Sequence, residues 1–232
     1  MASPTASIRR GVAAVGLVAL LALTTAGSAL ADTGGGGPVN VSSSGSSASL
    51  FTSDCTSNRN RTTTCHDTNV FAFVGMDHDK LGRVIQKRSE ACLFLDTYTF
   101  DDRTGNFISG SSESGCAEGL PSSALQISKL TSAALGATIT VTAYDCSQDP
   151  CVPISSRDVD VSATWTGTGS ITSQKSRFVY DDGVCFQVSA DKSSYRGATV
   201  SGTVDGTSIA NADANLSDGR FTFKSTAGCG GG

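Results

Sequence analysis

Apolar and polar residues alternate with a period of two along most of the chain. Val159, Val161, Ala163 and Trp165 interleave with Asp158, Asp160, Ser162 and Thr164. That rhythm predicts a strand with one buried and one wet face. "TITVTAY" (138–144), "VCFQVSA" (184–190), "ATVSGTV" (198–204) and "RFTFK" (220–224) behave similarly. Turn-forming clusters punctuate them at Asp102–Asn106, Asp181–Gly183, Asp205–Gly206 and Ser217–Gly219. Beyond the N-terminal segment no window carries a helical stripe. "LPSSALQISKLTSAALGA" (120–137) comes nearest, and its β-branched and serine content argues against a helix. The expected fold class is all-β: two tandem antiparallel β-sandwich units, immunoglobulin-like in broad architecture and disulfide-bonded.

The tandem expectation rests on an apparent internal duplication. "ASLFTSDC" (48–55) resembles "TITVTAYDC" (138–146), "NVFAFVGM" (69–76) resembles "DVDVSATW" (158–165), and "EACLFLD" (90–96) resembles "DGVCFQVS" (182–189). Four segments follow: a secretory signal peptide over 1–31, a Gly/Ser-rich flexible linker over 32–49, a first unit over 50–134 and a second over 135–229. The alignment puts Phe71, Phe73 and Phe94 on an outward face where the second half has Asp160, Ser162 and Gln187. Open together, they would form an apolar binding face. The expected cover is the segment 101–118, tethered by Cys116.

The signal assignment joins Arg9 and Arg10, the apolar run Gly11–Leu23 and the small-x-small pattern Ala29-Leu30-Ala31. The apolar run is too short to span a bilayer as a helix, and no later segment is apolar enough to cross one. Its removal leaves fifteen Lys and Arg against 21 Asp and Glu, a formal charge of −6. An acidic exported chain is a poor nucleic-acid binder, because phosphate binding needs a basic footprint.

Eight cysteines remain: Cys55, Cys65, Cys92, Cys116, Cys146, Cys151, Cys185 and Cys229. An even count in an exported chain reads as four disulfides. Proximity and repeat symmetry favour Cys55 with Cys65 and Cys146 with Cys151, and pairing within each half then joins Cys92 to Cys116 and Cys185 to Cys229. Without paired Cys-x-x-Cys motifs, and with two histidines, zinc is disfavoured.

The candidate chemistry is thin. His66 and His78 each stand beside carboxylates, Asp67 for the first, Asp77 and Asp79 for the second. The apolar run between them predicts loop, strand and loop, which holds them too far apart to share a metal. The pairs Asp101-Asp102 and Asp181-Asp182 have the residue type a glycosidase uses, but both precede turns, where Asp is favoured for local hydrogen bonds. "GSSESG" (110–115) lacks the Gly-x-Ser-x-Gly spacing of a nucleophile elbow. Lys80, Arg83, Lys87 and Arg88 make a basic cluster. It has the charge to bind an anionic polymer, and a solvated strand edge is the favoured reading. No cofactor is implied. The expected function is a secreted, non-enzymatic binding or cell-surface structural protein, with an extracellular protein or polysaccharide as partner. The alternatives are an inhibitor of an extracellular hydrolase, presenting Arg59 and Arg61 within "CTSNRNRTTTC" (55–65), and a carboxylate-dependent hydrolase.

Overall fold

A computed structural model describes residues 39–145, 152–210 and 212–226. The chain is all-β, and no helix occurs among the described residues. The strands are β1 (Val39–Ser57), β2 (Thr62–His78), β3 (Val84–Asp101), β4 (Phe107–Glu118), β5 (Leu125–Ser128), β6 (Ser132–Asp145), β7 (Val152–Gly167), β8 (Thr172–Asp181), β9 (Phe186–Val204), β10 (Thr207–Ser208) and β11 (Asp213–Ser225). Every pairing is antiparallel.

The hydrogen bonding closes on itself in the order β1–β2–β3–β4–β6–β7–β9–β11 and back to β1. β5 hangs on β6, while β8 and β10 hang on β9. A closed path leaves few long edges for another chain to pair with. The two halves of the chain meet at both seams of this ring. β1 pairs with β11 over the whole run Val39–Phe51, whereas β4 touches β6 only at Glu113↔Ala143 and Ser114↔Thr142.

One hydrophobic core fills the interior. Leu50, Val70 and Leu93 from the first half pack in the same cluster as Ile139, Val141, Val159, Trp165 and Leu216 from the second. Val159, Val161, Ala163 and Trp165 are all buried, as their alternation predicts. Trp165 is fully buried, and its indole Nε1–H donates to the Ser49 carbonyl 3.0 Å away. That bond satisfies its one polar atom and ties β7 to β1. The pairing and the core therefore do not divide at residue 134. The cysteine correspondence between the halves also fails locally. Cys92 sits within β3, whereas Cys185 precedes β9 in a turn where its N–H meets Asp182 Oδ1 at 2.7 Å.

Three other sequence expectations change. Residues 39–49 of the expected linker belong to β1, where β11 pairs with all of them and β2 joins on the other edge from Ser42 onward. Their small side chains fit a packing need: a Cβ at Gly45 or at Gly75 would run into the Phe73 ring. Ser217–Gly219, which reads as a turn, lies in the middle of β11. "VCFQVSA" and "ATVSGTV" merge into the single long β9. By contrast Asp205-Gly206 is the β9–β10 turn, with φ of 51° and 74°, the positive pair a two-residue hairpin requires. The signal segment 1–31 lies outside the described residues. No helix among the described residues is long and apolar enough to cross a membrane.

Two disulfides cross-link adjacent strands, Cys55–Cys65 between β1 and β2 and Cys92–Cys116 between β3 and β4. Cys185 is also disulfide-bonded, while Cys146, Cys151 and Cys229 lie outside the described residues.

The β4–β6 seam depends on close backbone approach. A Cβ at Gly115 would overlap the Thr140 carbonyl. Arg157 reinforces this side, with Nε 2.9 Å from Glu113 Oε2 on β4 and Nη1 2.7 Å from Asp205 Oδ2. Gly136, on the same strand as Thr140, has open space around it. Gly115→Ala is expected to lower the free energy of unfolding by roughly 1–3 kcal/mol, the usual effect of overpacking, while Gly136→Ala leaves it unchanged or slightly raised. Urea denaturation of both variants is the check, and equal midpoints would show that the seam does not constrain the fold.

Candidate binding groove

Strands β1, β2, β3, β9 and β11 run past the end of the core. Side chains directly opposite one another in neighbouring strands share a face, so each rung of the ladder can be read across the sheet. Leu93, Val70, Leu50, Ala214 and Ala198 form one rung on the inner face. Two rungs on, Ser89, Val74, Ser46, Asp218 and Ser194 occupy the same face. The next rung reads Lys87, Met76, Ser44, Arg220, Lys192 and Lys175. The face is apolar in the core, hydroxylic at its margin and cationic beyond it.

The rung from Lys87 to Lys192 forms one wall of a groove of about 950 Å³, and Lys175 continues the rung beyond the lining. Leu120, Leu125 and Ile127, from the β4–β5 connection and β5, supply an apolar part of the lining, and Lys129 stands at the β5–β6 turn. That turn is clamped. Lys129 has φ of 50°, the Thr131 carbonyl accepts from Gly167 N–H at 2.8 Å, and the Leu130 carbonyl accepts from Arg196 Nη1 at 3.4 Å. Lys87, Lys129, Lys175, Lys192 and Arg220 are exposed, and none forms a salt bridge among the described residues. The carboxylate lining the groove, Asp218, accepts from Ser46 Oγ at 2.7 Å.

The basic cluster read from the sequence separates in three dimensions. Arg83 folds back on Asp79 at the β2–β3 turn, 2.6 Å away. Arg88 points to the other face, where it stacks 5.5 Å from the Phe73 ring centroid and reaches Asp77 Oδ1 at 3.1 Å. Lys87 alone joins the groove rung. The groove-lining cations that share this rung, Lys192 and Arg220, lie more than one hundred positions later in the chain. Val84–Arg88 pair only with β2, so this stretch is also a sheet edge.

Phe71, Phe73 and Phe94 lie on the face opposite the core, but they do not form one open patch. Phe71 is 7% exposed beside the Cys92–Cys116 rung, Phe73 is half-buried beneath Arg88, and Phe94 is 38% exposed. Segment 101–118 is no lid; it completes the β3–β4 hairpin. The bulky exposed apolar residues Phe178, Val179, Tyr180 and Val184 gather instead around the β8–β9 turn, where the cysteine-based alignment gave no signal.

The acid–base candidates are occupied locally. His66 and His78 both lie on the single strand β2, twelve positions apart, with no loop inside the stretch 62–78. His66 Nδ1 is 3.0 Å from Thr97 Oγ1. Asp101 accepts from Arg103 N–H and from the Thr104 N–H and hydroxyl, and the Thr104 backbone bond leads in holding its carboxyl below the usual range. Asp102 accepts from Thr63 Oγ1 at 2.6 Å. Asp182 is likewise held low, first by Cys185 N–H and then by Val184 N–H. Carboxylates kept ionised in turns are poorly suited to donate a proton. Among the described residues no three His, Cys, Asp or Glu side chains converge as a metal site would need.

On the outer face, Asp191 Oδ2 and Ser193 Oγ are buried with no hydrogen-bond partner among the described residues, and burial pushes the Asp191 carboxyl up. A raised folded-state pKa means that ionised Asp191 opposes folding above that pKa, and the penalty fades once both states are protonated. Asp191→Asn is therefore expected to stabilise the protein at pH 7. The advantage should vanish below the ordinary carboxylate value of about 3.9; a pH-independent difference between the two proteins would contradict the assignment. On the inner face, Arg220, Lys192 and Lys175 are like charges on directly opposed positions, an unfavourable arrangement. Lys192→Glu is expected to raise stability by roughly 0.2–1 kcal/mol at low salt, with the gain shrinking as salt screens it. Denaturation at two ionic strengths measures this, and a loss of stability would show that the three cations do not face one another. No protein family matches the chain by sequence, and no curated protein is significantly similar to it.

Proposed function

We propose that the chain is a secreted, non-enzymatic binding protein whose ligand seats in the groove between the inner face of β3, β2, β1, β11 and β9 and the β4–β5 segment. The observation that carries this reading is the groove's lining. About 950 Å³ of open space is bordered by serine hydroxyls and by Lys87, Lys129, Lys192 and Arg220, none of them salt-bridged among the described residues, while Asp101, Asp182 and His66 are engaged in turns and a rung elsewhere. Polar and apolar groups converging on a preformed concavity are the usual form of a ligand site. Secretion is supported by the n-region, apolar run and small-x-small pattern of residues 1–31 and by the disulfides.

A second reading draws on the β1–β2 hairpin. Its tip exposes Arg59 and Arg61, and it is braced by Cys55–Cys65 and by Asn58 Nδ2 donating to Thr62 and Thr64 hydroxyls. A rigid loop of this kind suits an inhibitor, because little entropy is lost on docking.

Ser194→Trp, which fills the groove from β9, separates these readings. The groove proposal expects this variant to lose at least about tenfold in retention on native extracellular polysaccharide and protein fractions, a loss of about 1.4 kcal/mol. Arg59→Ala/Arg61→Ala should leave retention intact. The reverse pattern would favour the inhibitor. Hydrolysis of a glycan and ester panel, abolished by Asp101→Asn/Asp102→Asn, would overturn the non-enzymatic reading altogether.

A further inference from the structure

We infer that the groove binds an anionic polysaccharide, a sugar chain carrying sulfate, uronate or phosphate groups. This rests on the groove being the ligand site. Lys87, Arg220, Lys192 and Lys175 lie on one rung that crosses six strands. At ~4.8 Å per strand the row is about 24 Å long. A row of charges on that scale suits an extended chain with repeating charge better than a single small anion. Lys129 adds a fifth cation from the opposite wall.

Two further observations point the same way. Arg220 is flanked by Lys192, and Lys192 by Lys175, with no salt bridge to any of them among the described residues. Opposed like charges destabilise a sheet, and an anionic ligand is what relieves them. Between the cations stand the hydroxyls of Ser44, Ser89 and Ser194, with Ser122 on the far wall; each can donate and accept, as a hydroxyl-rich chain requires.

The lining disfavours other polyanions. It contains no aromatic side chain, so it offers no platform on which nucleic-acid bases stack. Outside the groove the chain is acidic, with 21 Asp and Glu overall. A duplex or a globular acidic protein would meet that field as well, whereas a slender glycan fits between the walls. Charges beyond about 8 Å are screened at physiological salt, so the local cations govern a ligand inside the groove.

The test is isothermal titration of the purified protein with heparin and hyaluronate fragments. Dextran serves as a neutral glycan, and polyglutamate and single-stranded DNA as other polyanions. The inference expects one of the two anionic glycans to bind more tightly than every other probe. It also expects the affinity to fall more than about tenfold between 50 and 200 mM salt, as when about four charges are neutralised. Lys192→Glu/Arg220→Glu should weaken that binding at least tenfold. Arg59→Glu/Arg61→Glu makes the same change in net charge at a distant hairpin and should alter it less than about twofold. Thermal unfolding of each variant confirms that the fold is retained. Binding unaffected by the groove substitutions, equal loss in both double variants, or no binding of either anionic glycan would overturn the inference. Groove-dependent binding of dextran or polyglutamate in place of the anionic glycans would also overturn it, and would leave the groove standing as the binding site.

Discussion

The register between β1 and β11 is the constraint on which the rest of the structure depends. Thirteen consecutive residues of β1, from Val39 to Phe51, are paired with β11. This joins the first described strand to the last. Because side chains alternate strictly across a sheet, a shift of one residue would exchange its two faces. The observed register places Ala48 opposite Leu216 in the core, and it also places Ser44 opposite Arg220 beyond it. The core and the groove are thus consecutive stretches of one face, set by one alignment.

That continuity explains how a serine- and glycine-rich stretch comes to be ordered. Residues 39–49 have little apolar surface, but β11 pairs with the whole stretch and β2 with its residues from Ser42 onward. Gly45 and Gly75 leave room for the Phe73 ring on the outer face, while Ser44 and Ser46 keep the inner face shallow enough for a groove. Bulkier side chains there would strengthen a strand in isolation and fill the concavity. Under the binding proposal, the stretch is small and polar because both of its faces are in use.

The sequence was a good guide wherever local pattern governs structure. Strand content, the Asp205-Gly206 turn and the buried face of Val159, Val161, Ala163 and Trp165 all follow from alternation and turn chemistry. It misled where long-range pairing outweighs local preference. Ser217–Gly219 has turn composition, yet Asp218 is held by Ser46 and Gly219 lies opposite Gly45 on β1. The groove was hidden for the same reason. Lys87, Lys192 and Arg220 are remote in sequence, and only the pairing of β3, β2, β1, β11 and β9 brings them to one rung. The visible cluster Lys80–Arg88 was a poor proxy, because adjacent strand residues such as Lys87 and Arg88 point to opposite faces. Isolated cations alternating with hydroxyls in "DKSSY" and "SDGRF" were the available signal, and they mean little until the register is known.

Under the binding proposal, cations from β3, β9 and β11 act together as one ligand-binding row. Amide chemical-shift mapping by NMR during titration with a charged glycan fragment tests it most directly. One contiguous set of shifted resonances is expected, covering Ser44, Met76, Lys87, Lys192, Arg220 and Lys129, with Phe94 and the outer face of β6 and β7 unmoved. Shifts confined to the Lys80–Arg83 turn, or scattered over the surface without regard to the rung, would contradict it.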